Sequence, residues 1–151
     1  MACEDPGGKS ETKGECPSDS RREVIAKTIQ QTVQFSVSPE ELFDIYLNSK
    51  KHSAAINSKA AVSRKVGGKF LAFHGALRGR NLAIVPKRMI VQSWRTSDWK
   101  KTDLDSILIL TFSRAPRGAR IALVHANVPD KWHAMIQKGW QKYSWKPWKA
   151  Y

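Results

Sequence analysis

Four histidines are the side chains in this sequence best suited to proton transfer or metal binding, because histidine titrates near neutral pH. They are His52, His74, His125 and His133. No two of them have the i, i+4 spacing of a helical metal pair, and no carboxylate is evident that would orient one as an acid–base catalyst. His125 follows Ile121 and Leu123 on one face of a predicted strand, so we expect it to point inward. A hydrogen-bonded core histidine is favoured over a catalyst.

Other signatures of catalysis are missing from the sequence. It has no Gly-x-Ser-x-Gly nucleophile motif, no phosphate-cradling loop and no Cys-x-x-Cys pair. Its two cysteines, Cys3 and Cys16, are too few for a disulfide framework, and a metal site would need further ligands nearby. We therefore predict a protein that is not an enzyme and that holds neither a cofactor nor a metal.

The C-terminal stretch KGWQKYSWKPWKAY, residues 138–151, combines three tryptophans, two tyrosines and four lysines. Such a stretch suits a membrane surface, a platform for nucleic-acid bases or one side of a protein core. We predict a helix that Asp130 caps and that ends near Lys146, because Pro147 discourages continuation. At about 100° per residue, its apolar side chains form a line that faces the protein. That line comprises Trp132, Ile136, Gly139 and Tyr143, with Met135 and Trp140 on its two sides.

Four lysines of this predicted helix lie along one flank of the apolar line: Lys131, Lys138, Lys142 and Lys149. We expect this lysine edge to bind an acidic partner. Gly139 interrupts the apolar line, although glycine costs roughly 1 kcal/mol relative to alanine inside a helix. Close packing of the helix backbone on a strand is the favoured explanation for Gly139, and a gap left for a bound guest is the alternative.

The positive charge of the chain is concentrated after its first 23 residues. The 151 residues include 26 Lys and Arg against 13 Asp and Glu, a net charge of +13 with a pI of about 10.1. Residues 1–23 contain six acids, four bases and almost no apolar side chains, so we predict a disordered tail there. Residues 24–151 then form the single expected domain, with 22 bases and seven acids.

A field of this sign favours acidic partners, whether proteins, nucleic acids or anionic lipids. No apolar run resembles a signal peptide or a membrane span, so we expect a cytoplasmic protein. Binding of nucleic acid is the alternative function, because basic residues crowd the predicted strands and turns and tryptophans are present for stacking. Those basic residues are Arg78, Arg80, Lys87, Arg88, Arg95, Lys100, Lys101, Arg114, Arg117 and Arg120. This function ranks second, since the predicted core uses most of the aromatic side chains.

The first ordered segment reads as a strand followed by a helix pair. Residues 25–37 alternate apolar and polar side chains, as a strand with one buried face does. Ser38, Pro39 and Glu41 then match a helix start, with a capping hydroxyl, a proline at the first helical position and a capping-box carboxylate. A weaker second helix is expected over residues 50–57.

The middle of the chain reads as antiparallel strands. Five or six short β-branched or aromatic segments lie between residues 59 and 128, with a hairpin turn at Gly67 and Gly68. The segment SILILTF, residues 106–112, has apolar side chains at both odd and even positions, which predicts a strand covered on both faces. A strand, two helices, a run of strands and a final helix together predict an α+β fold with the helices on one face of the sheet.

Seven motifs in this order resemble a known family. They are SPEELFDIY, VGGKF, GALRG, AIVPKRMIVQSWR, SILILTF, VHANVP and GWQKYSW, which span roughly residues 25–151. The segment resembles the C-terminal domain of homologues of the activator of the 90-kDa heat-shock protein's ATPase. That family lies within the START and birch-pollen-allergen-like helix-grip superfamily (SRPBCC). The resemblance implies a curved antiparallel sheet wrapped around a long C-terminal helix, with a hydrophobic cavity between them.

The resemblance implies two functions for such a domain. One is binding of an apolar small ligand in the cavity, and the other is co-chaperone-like binding to an acidic partner such as the 90-kDa heat-shock chaperone. Strand parity and helix phase select the expected cavity walls: Phe70, Trp94, Leu108, Leu110, Leu123, His125, Ile136, Gly139, Trp140 and Tyr143. The lysine edge is the expected partner-binding surface.

Overall fold

A computed structural model describes residues 26–151, so the predicted tail of residues 1–23, with Cys3 and Cys16, lies outside the described residues. The elements in chain order are β1 (Ala26–Phe35), α1 (Pro39–Leu47), α2 (Ser49–Ile56), β2 (Ala61–Val62), β3 (Lys69–Ala72), β4 (Leu77–Val85), β5 (Met89–Thr96), β6 (Ser106–Ala115), β7 (Gly118–Pro129), α3 (Asp130–Gly139), a π-helical segment (Trp140–Trp145) and α4 (Lys146–Ala150). The strands form one antiparallel sheet in the order β1-β7-β6-β5-β4-β3-β2. With two short helices after β1 and a long C-terminal helix, this architecture confirms the predicted α+β helix-grip fold.

The helix start predicted after the first strand is confirmed. The Ser38 hydroxyl accepts a hydrogen bond from the Glu41 amide at 3.2 Å, and Pro39 lies in the first helical turn. Asn48 caps α2 in the same way, because its side chain accepts from the Lys51 amide at 3.0 Å. Each cap satisfies an amide that the first helical turn leaves without a backbone partner, so the chain turns sharply between these elements.

Strand β1 buries the face that its alternation predicts. Ile29 and Val33 are buried, and Gln30 and Thr32 on the opposite face are exposed to solvent. Gln31 lies on the same face of the strand as Ile29 and Val33, and its side chain forms hydrogen bonds with the C-terminal helix. Its Nε2 donates to the Gln137 carbonyl at 2.9 Å, and its Oε1 accepts from Trp145 Nε1 at 3.0 Å. This inward glutamine joins β1 to the C-terminal helix.

A chain of buried amides and hydroxyls holds the predicted hairpin, in which β2 pairs with β3. Tyr46 donates from its hydroxyl to Gln92 Oε1 at 2.8 Å, and Gln92 Nε2 donates to Asn81 Oδ1 at 2.8 Å. Asn81 Nδ2 donates to the Ser63 carbonyl at 2.8 Å, and the Asn81 carbonyl accepts from the Gly67 amide at 2.7 Å. Because each of these buried polar groups has a partner, the chain fixes α1 and the hairpin relative to the sheet.

The prediction that both faces of β6 are covered is wrong. Leu108 is fully buried, whereas Ile107 and Ile109 on the opposite face are only half-buried. The helices cover the first face, where Phe43 of α1 packs edge to face on Phe112 with ring centroids 5.6 Å apart. The isoleucines of the second face fit the preference of β-branched residues for strands and do not mark a second layer.

The C-terminal helix does not end before Pro147, which corrects the prediction. It runs from Asp130 to Ala150 through α3, the π-helical segment and α4. In the π-helical segment the Lys146 amide bonds to the Gln141 carbonyl, five residues earlier. A proline ring normally crowds the carbonyl four residues before it, and the wider π turn lies at that position, so the helix continues.

The predicted cap of this helix is also wrong. Asp130 is the first helical residue and makes no capping hydrogen bond from its side chain. Its carboxylate instead lies 2.9 Å from Lys27 Nζ of β1. An acid in the first turn still favours the helix through the helix dipole, and the ion pair joins the start of the helix to the edge of the sheet.

The π-helical segment changes which side chains of the C-terminal helix face the sheet. A regular α-helix would keep Tyr143 on the buried line, but Tyr143 is half-exposed. A π turn contains about one residue more than an α turn, so it rotates every later residue around the helix axis. The buried residues are Ile136, Trp140, Ser144, Trp145 and Trp148.

Candidate functional site

A pocket of about 290 Å³ lies between the C-terminal helix and strands β4 and β5. The connection between β3 and β4 forms part of its wall. The lining residues are Phe73, Ala76, Leu77, Trp94, Thr96, Met135, Ile136, Gly139, Trp140, Tyr143 and Ser144. The pocket opens to solvent beside Met135 and Tyr143, which are 57% and 52% exposed.

Four aromatic side chains form much of the wall. Trp94 and Trp140 are buried, with ring centroids 6.2 Å apart. Phe73 and Tyr143 meet edge to face with centroids 6.1 Å apart. Edge-to-face and tilted arrangements are the ones that the charge distribution of aromatic rings favours. The pocket is therefore walled by rings that already hold one another in place.

The backbone at Phe73 is strained, and this strain sets one side of the pocket. Phe73 and His74 have φ angles of +51° and +58°, and Gly75 follows at +89°. Left-handed backbone at residues other than glycine costs on the order of 1–3 kcal/mol, so the surrounding structure must hold it. The His74 amide donates to the Lys59 carbonyl at 3.3 Å. The resulting turn carries the Phe73 ring to the pocket wall.

His125 lies behind the pocket in a fully bonded chain. Trp140 Nε1 donates to His125 Nδ1 at 3.1 Å, so the imidazole hydrogen is on Nε2 and is donated to Ser106 Oγ at 2.7 Å. The Ser106 hydroxyl in turn donates to the Trp94 carbonyl at 2.9 Å. Burial lowers the pKa of His125 to about 3, which keeps the ring neutral. His125 therefore positions two pocket walls, Trp94 and Trp140, as a structural histidine.

The structure places five of the ten predicted wall residues on this pocket: Trp94, Ile136, Gly139, Trp140 and Tyr143. Phe70 lines a smaller adjoining cavity of about 20 Å³, enough for about one water molecule. The other four lie in the core and not on the wall: Leu108, Leu110, Leu123 and His125. The prediction is wrong for these four because α1 and α3 pack over β1, β6 and β7, which leaves open space only nearer to β4 and β5.

Six wall residues were not predicted: Phe73, Ala76, Leu77, Thr96, Met135 and Ser144. The first three lie in or beside an irregular connection, where no periodicity indicates the direction of a side chain. The GALRG motif, residues 75–79, lies at this connection but does not indicate the direction of its side chains. Ser144 lies one turn after the buried Trp140, within the π-helical segment, and the sequence carries no recognised signal for that segment.

Gly139 belongs to the pocket wall and is not a site of close packing, which corrects the favoured interpretation. A Cβ at Gly139 would have one neighbour within 4 Å, Tyr143 Cδ2 at 3.7 Å, which is ordinary contact. Gly79 of β4 shows the contrast, because a Cβ there would lie 2.6 Å from the Phe70 ring and would collide with the Ser93 carbonyl. The geometry at Gly139 favours a gap that a guest can enter.

The lysine edge of the C-terminal helix is exposed at all four predicted positions: Lys131, Lys138, Lys142 and Lys149. Lys131 Nζ lies 5.2 Å from the ring centroid of Trp132, and Lys142 Nζ lies 5.1 Å from that of Tyr143. The ion pairs within residues 26–151 involve none of these four lysines. Their charges are therefore not neutralised by the described part of the chain.

The tryptophans of the chain are mostly unavailable for stacking on nucleic-acid bases. Five of the six are buried: Trp94, Trp99, Trp140, Trp145 and Trp148. Among the basic residues considered for nucleic acid, Arg95 pairs with Asp105 at 2.7 Å, and Arg114 lies 3.6 Å from Glu40. Stacking platforms of single-strand-binding proteins need exposed rings, and the tryptophans here serve the core.

The remaining polar groups do not assemble into a metal centre within residues 26–151, where no three His, Cys, Asp or Glu side chains cluster as ligands. His52 is buried beside Tyr46, whose carbonyl bonds to His52 Nδ1 at 2.8 Å, and burial lowers the pKa of His52. The same part of the chain contains no helix with the length and apolar character needed to cross a membrane.

Comparison with known sequences identifies relatives of this domain. A family model described as "Activator of Hsp90 ATPase homolog 1-like protein" matches residues 36–147. The chain is 27% identical over 126 residues to the activator of 90 kDa heat shock protein ATPase homolog of Dictyostelium discoideum, which covers 83% of this chain and 33% of that protein. Homolog 1 of Homo sapiens is 28% identical over 116 residues, with 77% and 33% covered. The chain thus matches about a third of the length of these relatives.

Solved structures share the fold. An HSP90 activator from Plasmodium falciparum superposes with a TM-score of 0.69 and 27% identity, over 77% of this chain and 89% of that one. The Aha1 dimer from Colwellia psychrerythraea superposes with a TM-score of 0.67 and 11% identity, over 78% and 90%. At such low identity the second structure supports the fold alone.

Proposed function

The chain belongs to the family of Activator of Hsp90 ATPase homolog 1-like proteins, and we propose that this member binds an apolar small molecule in its pocket and catalyses no reaction. The observation that carries the proposal is the pocket of about 290 Å³, whose lining residues are almost all apolar. Removal of apolar surface from water contributes roughly 25 cal/mol per Å². A guest that covers Trp94, Ile136 and Trp140 is therefore stabilised by the same effect that stabilises the core.

N-phenyl-1-naphthylamine, an uncharged fluorophore that brightens in apolar surroundings, tests this function. We expect a saturable titration with one site per chain, because the pocket is a single space of limited volume. Emission that rises without saturation, as it does on a nonspecific surface, would contradict the proposal.

A second function is supported by the charge of the domain and by its relatives, which are named as activators of a 90 kDa heat shock protein ATPase. We propose that residues 26–151 dock on an acidic partner protein such as that chaperone, in the cytoplasm. The supporting observation is the lysine edge, four exposed lysines without acidic partners in the described chain. Docking, and not stimulation of the ATPase, is the property that this surface supports.

Reversing Lys138, Lys142 and Lys149 to glutamate should slow association with the purified chaperone about tenfold at low salt. Exposed charges mainly steer the encounter of two proteins, and salt screens them within roughly 8 Å at physiological ionic strength. The difference between variant and wild type should therefore shrink as salt is added. Surface plasmon resonance measures the association rate, and thermal melting checks that the variant is folded.

The matched control reverses Lys50, Lys65 and Lys87, which are equally exposed and lie on α2 and in two turns. An equal loss in both variants would mean that net charge alone attracts the partner, and the lysine edge would not be the docking surface. An oligonucleotide is titrated under the same salt. If it binds more tightly than the chaperone and the helix reversal removes that binding, the nucleic-acid alternative replaces the adaptor function.

A further inference from the structure

We infer that the pocket selects an uncharged, flat aromatic molecule of two or three fused rings that carries a hydroxyl or carbonyl group. The inference rests on the proposed ligand-binding function and names the class of ligand. It follows from three properties of the wall: its aromatic composition, its lack of charge and the position of the Thr96 and Ser144 hydroxyls.

The aromatic side chains surround the space from more than one side. Trp94 comes from the sheet, Phe73 from the β3–β4 connection, and Trp140 and Tyr143 from the C-terminal helix. Rings from three parts of the fold therefore border the pocket, and aromatic rings pack favourably on one another in offset or edge-to-face arrangements.

No wall residue is charged. None of the eleven lining side chains is Lys, Arg, His, Asp or Glu. A carboxylate or phosphate in this space would lose its hydration without gaining a cationic partner, which is strongly unfavourable. Fatty acids and phosphorylated compounds could therefore enter only with the charged group left in solvent at the opening, which favours an uncharged guest. Lys142 Nζ lies 5.1 Å from the ring centroid of the wall residue Tyr143, but Lys142 is exposed and does not line the pocket.

Three wall residues carry a hydroxyl group. Tyr143 is half-exposed at the opening, so Thr96 and Ser144 supply the hydroxyls that a guest inside the pocket would meet. Within residues 26–151, the side-chain hydrogen bonds that join the C-terminal helix to the sheet use Gln31, His125, Trp140 and Trp145. Ser144 and Thr96 are not used in them, and both line the pocket. A hydroxyl can donate and accept, so each can pair with a hydroxyl or a carbonyl of the guest.

The volume sets the size of the guest. A cavity of about 150 Å³ in a protein core binds a single benzene ring. The pocket here is about 290 Å³, nearly twice that, which suits a molecule of two or three fused rings. A single ring would leave empty space, and a steroid-sized guest would extend through the opening between Met135 and Tyr143.

Displacement of bound N-phenyl-1-naphthylamine tests the ligand class with four probes. 2-Naphthol, uncharged at neutral pH, should displace the fluorophore at a concentration at least tenfold lower than 2-naphthoate or decanoate, and lower than decanol. If decanol or decanoate displaced the fluorophore as well as 2-naphthol does, the inference of an aromatic ligand would be wrong. The proposed binding of an apolar small molecule would be unaffected. Absence of saturable fluorophore binding would instead overturn the function itself.

A double variant that removes both hydroxyl groups tests their role. Thr96→Val and Ser144→Ala together should weaken 2-naphthol about three- to tenfold, the range expected for one neutral hydrogen bond, and leave naphthalene unchanged. The ratio of the two affinities is the readout, because a general change of the pocket would alter both compounds alike. An unchanged ratio would show that these hydroxyls do not hold the guest.

Discussion

Replacing Gly139 with leucine should abolish saturable binding of N-phenyl-1-naphthylamine, with at least a tenfold loss of affinity, while the domain keeps its fold. Gly139 lies on the pocket wall, and a Cβ there meets only Tyr143 Cδ2 at 3.7 Å. The added side chain therefore enters the pocket and takes the place of the guest. Fluorophore titration measures the affinity, and circular dichroism with thermal melting follows the fold.

The matched control is Gly139→Ala. Alanine should retain most of the binding and raise the free energy of unfolding by up to about 1 kcal/mol, because it is the better helix former. Binding by the leucine variant at the wild-type affinity would place Gly139 outside the functional pocket. Loss of folding in both variants would show that the helix backbone does pack closely at this position.

Replacing Trp145 with alanine should lower the free energy of unfolding by about 3–5 kcal/mol, the range for large-to-small substitutions of buried aromatic residues. Trp145 is 1% exposed and stacks on Trp140 with ring centroids 5.4 Å apart. It also packs edge to face on Phe35 of β1 at 6.2 Å. Domains of this size have a total stability of roughly 5–15 kcal/mol, so the variant should be near the limit of folding. Urea denaturation followed by tryptophan fluorescence measures the loss.

The Trp145→Phe variant distinguishes the contribution of the buried aromatic ring from that of the indole N–H hydrogen bond. This variant keeps an aromatic ring in the core but leaves Gln31 Oε1 without the hydrogen bond that Trp145 Nε1 donates at 3.0 Å. We expect a loss of about 0.5–1.5 kcal/mol, the usual net contribution of one hydrogen bond, because Gln31 is only partly buried and water can replace the lost donor. A double-mutant cycle with Gln31→Met isolates the coupling between the two side chains. A loss below about 1 kcal/mol for Trp145→Ala would contradict the assignment of the π-helical segment to the core.

The π-helical segment connects these two results. It directs Trp145 and Trp148 toward β1, α1 and α2, where Trp148 packs on Phe35, Tyr46 and His52. The same rotation leaves Tyr143 half-exposed at the opening of the pocket, on the side of the helix that faces β4 and β5. Local π-helical turns are frequent at functional sites, because they redirect side chains without interrupting a helix. In this domain one local change of helix geometry produces both a filled core and an open pocket.

Much of the fold was predictable because it depends on patterns between near neighbours. The strand alternation around Ile29 and Val33, the Ser38 cap and the Gly67 turn each involve residues within a few positions of one another. Short-range geometry of this kind follows from backbone sterics and from the need to satisfy backbone amides. The order of elements and their assembly into one antiparallel sheet could therefore be read from the chain itself.

The location of the pocket depended on contacts between distant residues. Gln31 bonds to Gln137 and Trp145, which are 106 and 114 positions away, and these contacts fix where the C-terminal helix lies on the sheet. The alternation of the strands correctly predicted that Leu108 and His125 face inward. Only the packing of the helices determined that these two residues are covered and that space remains beside Trp94. The sequence by itself determined which residues face inward, because that follows from the period of a strand or helix. Only the tertiary structure decided which of them border empty space, because a cavity is what remains after all the elements have packed.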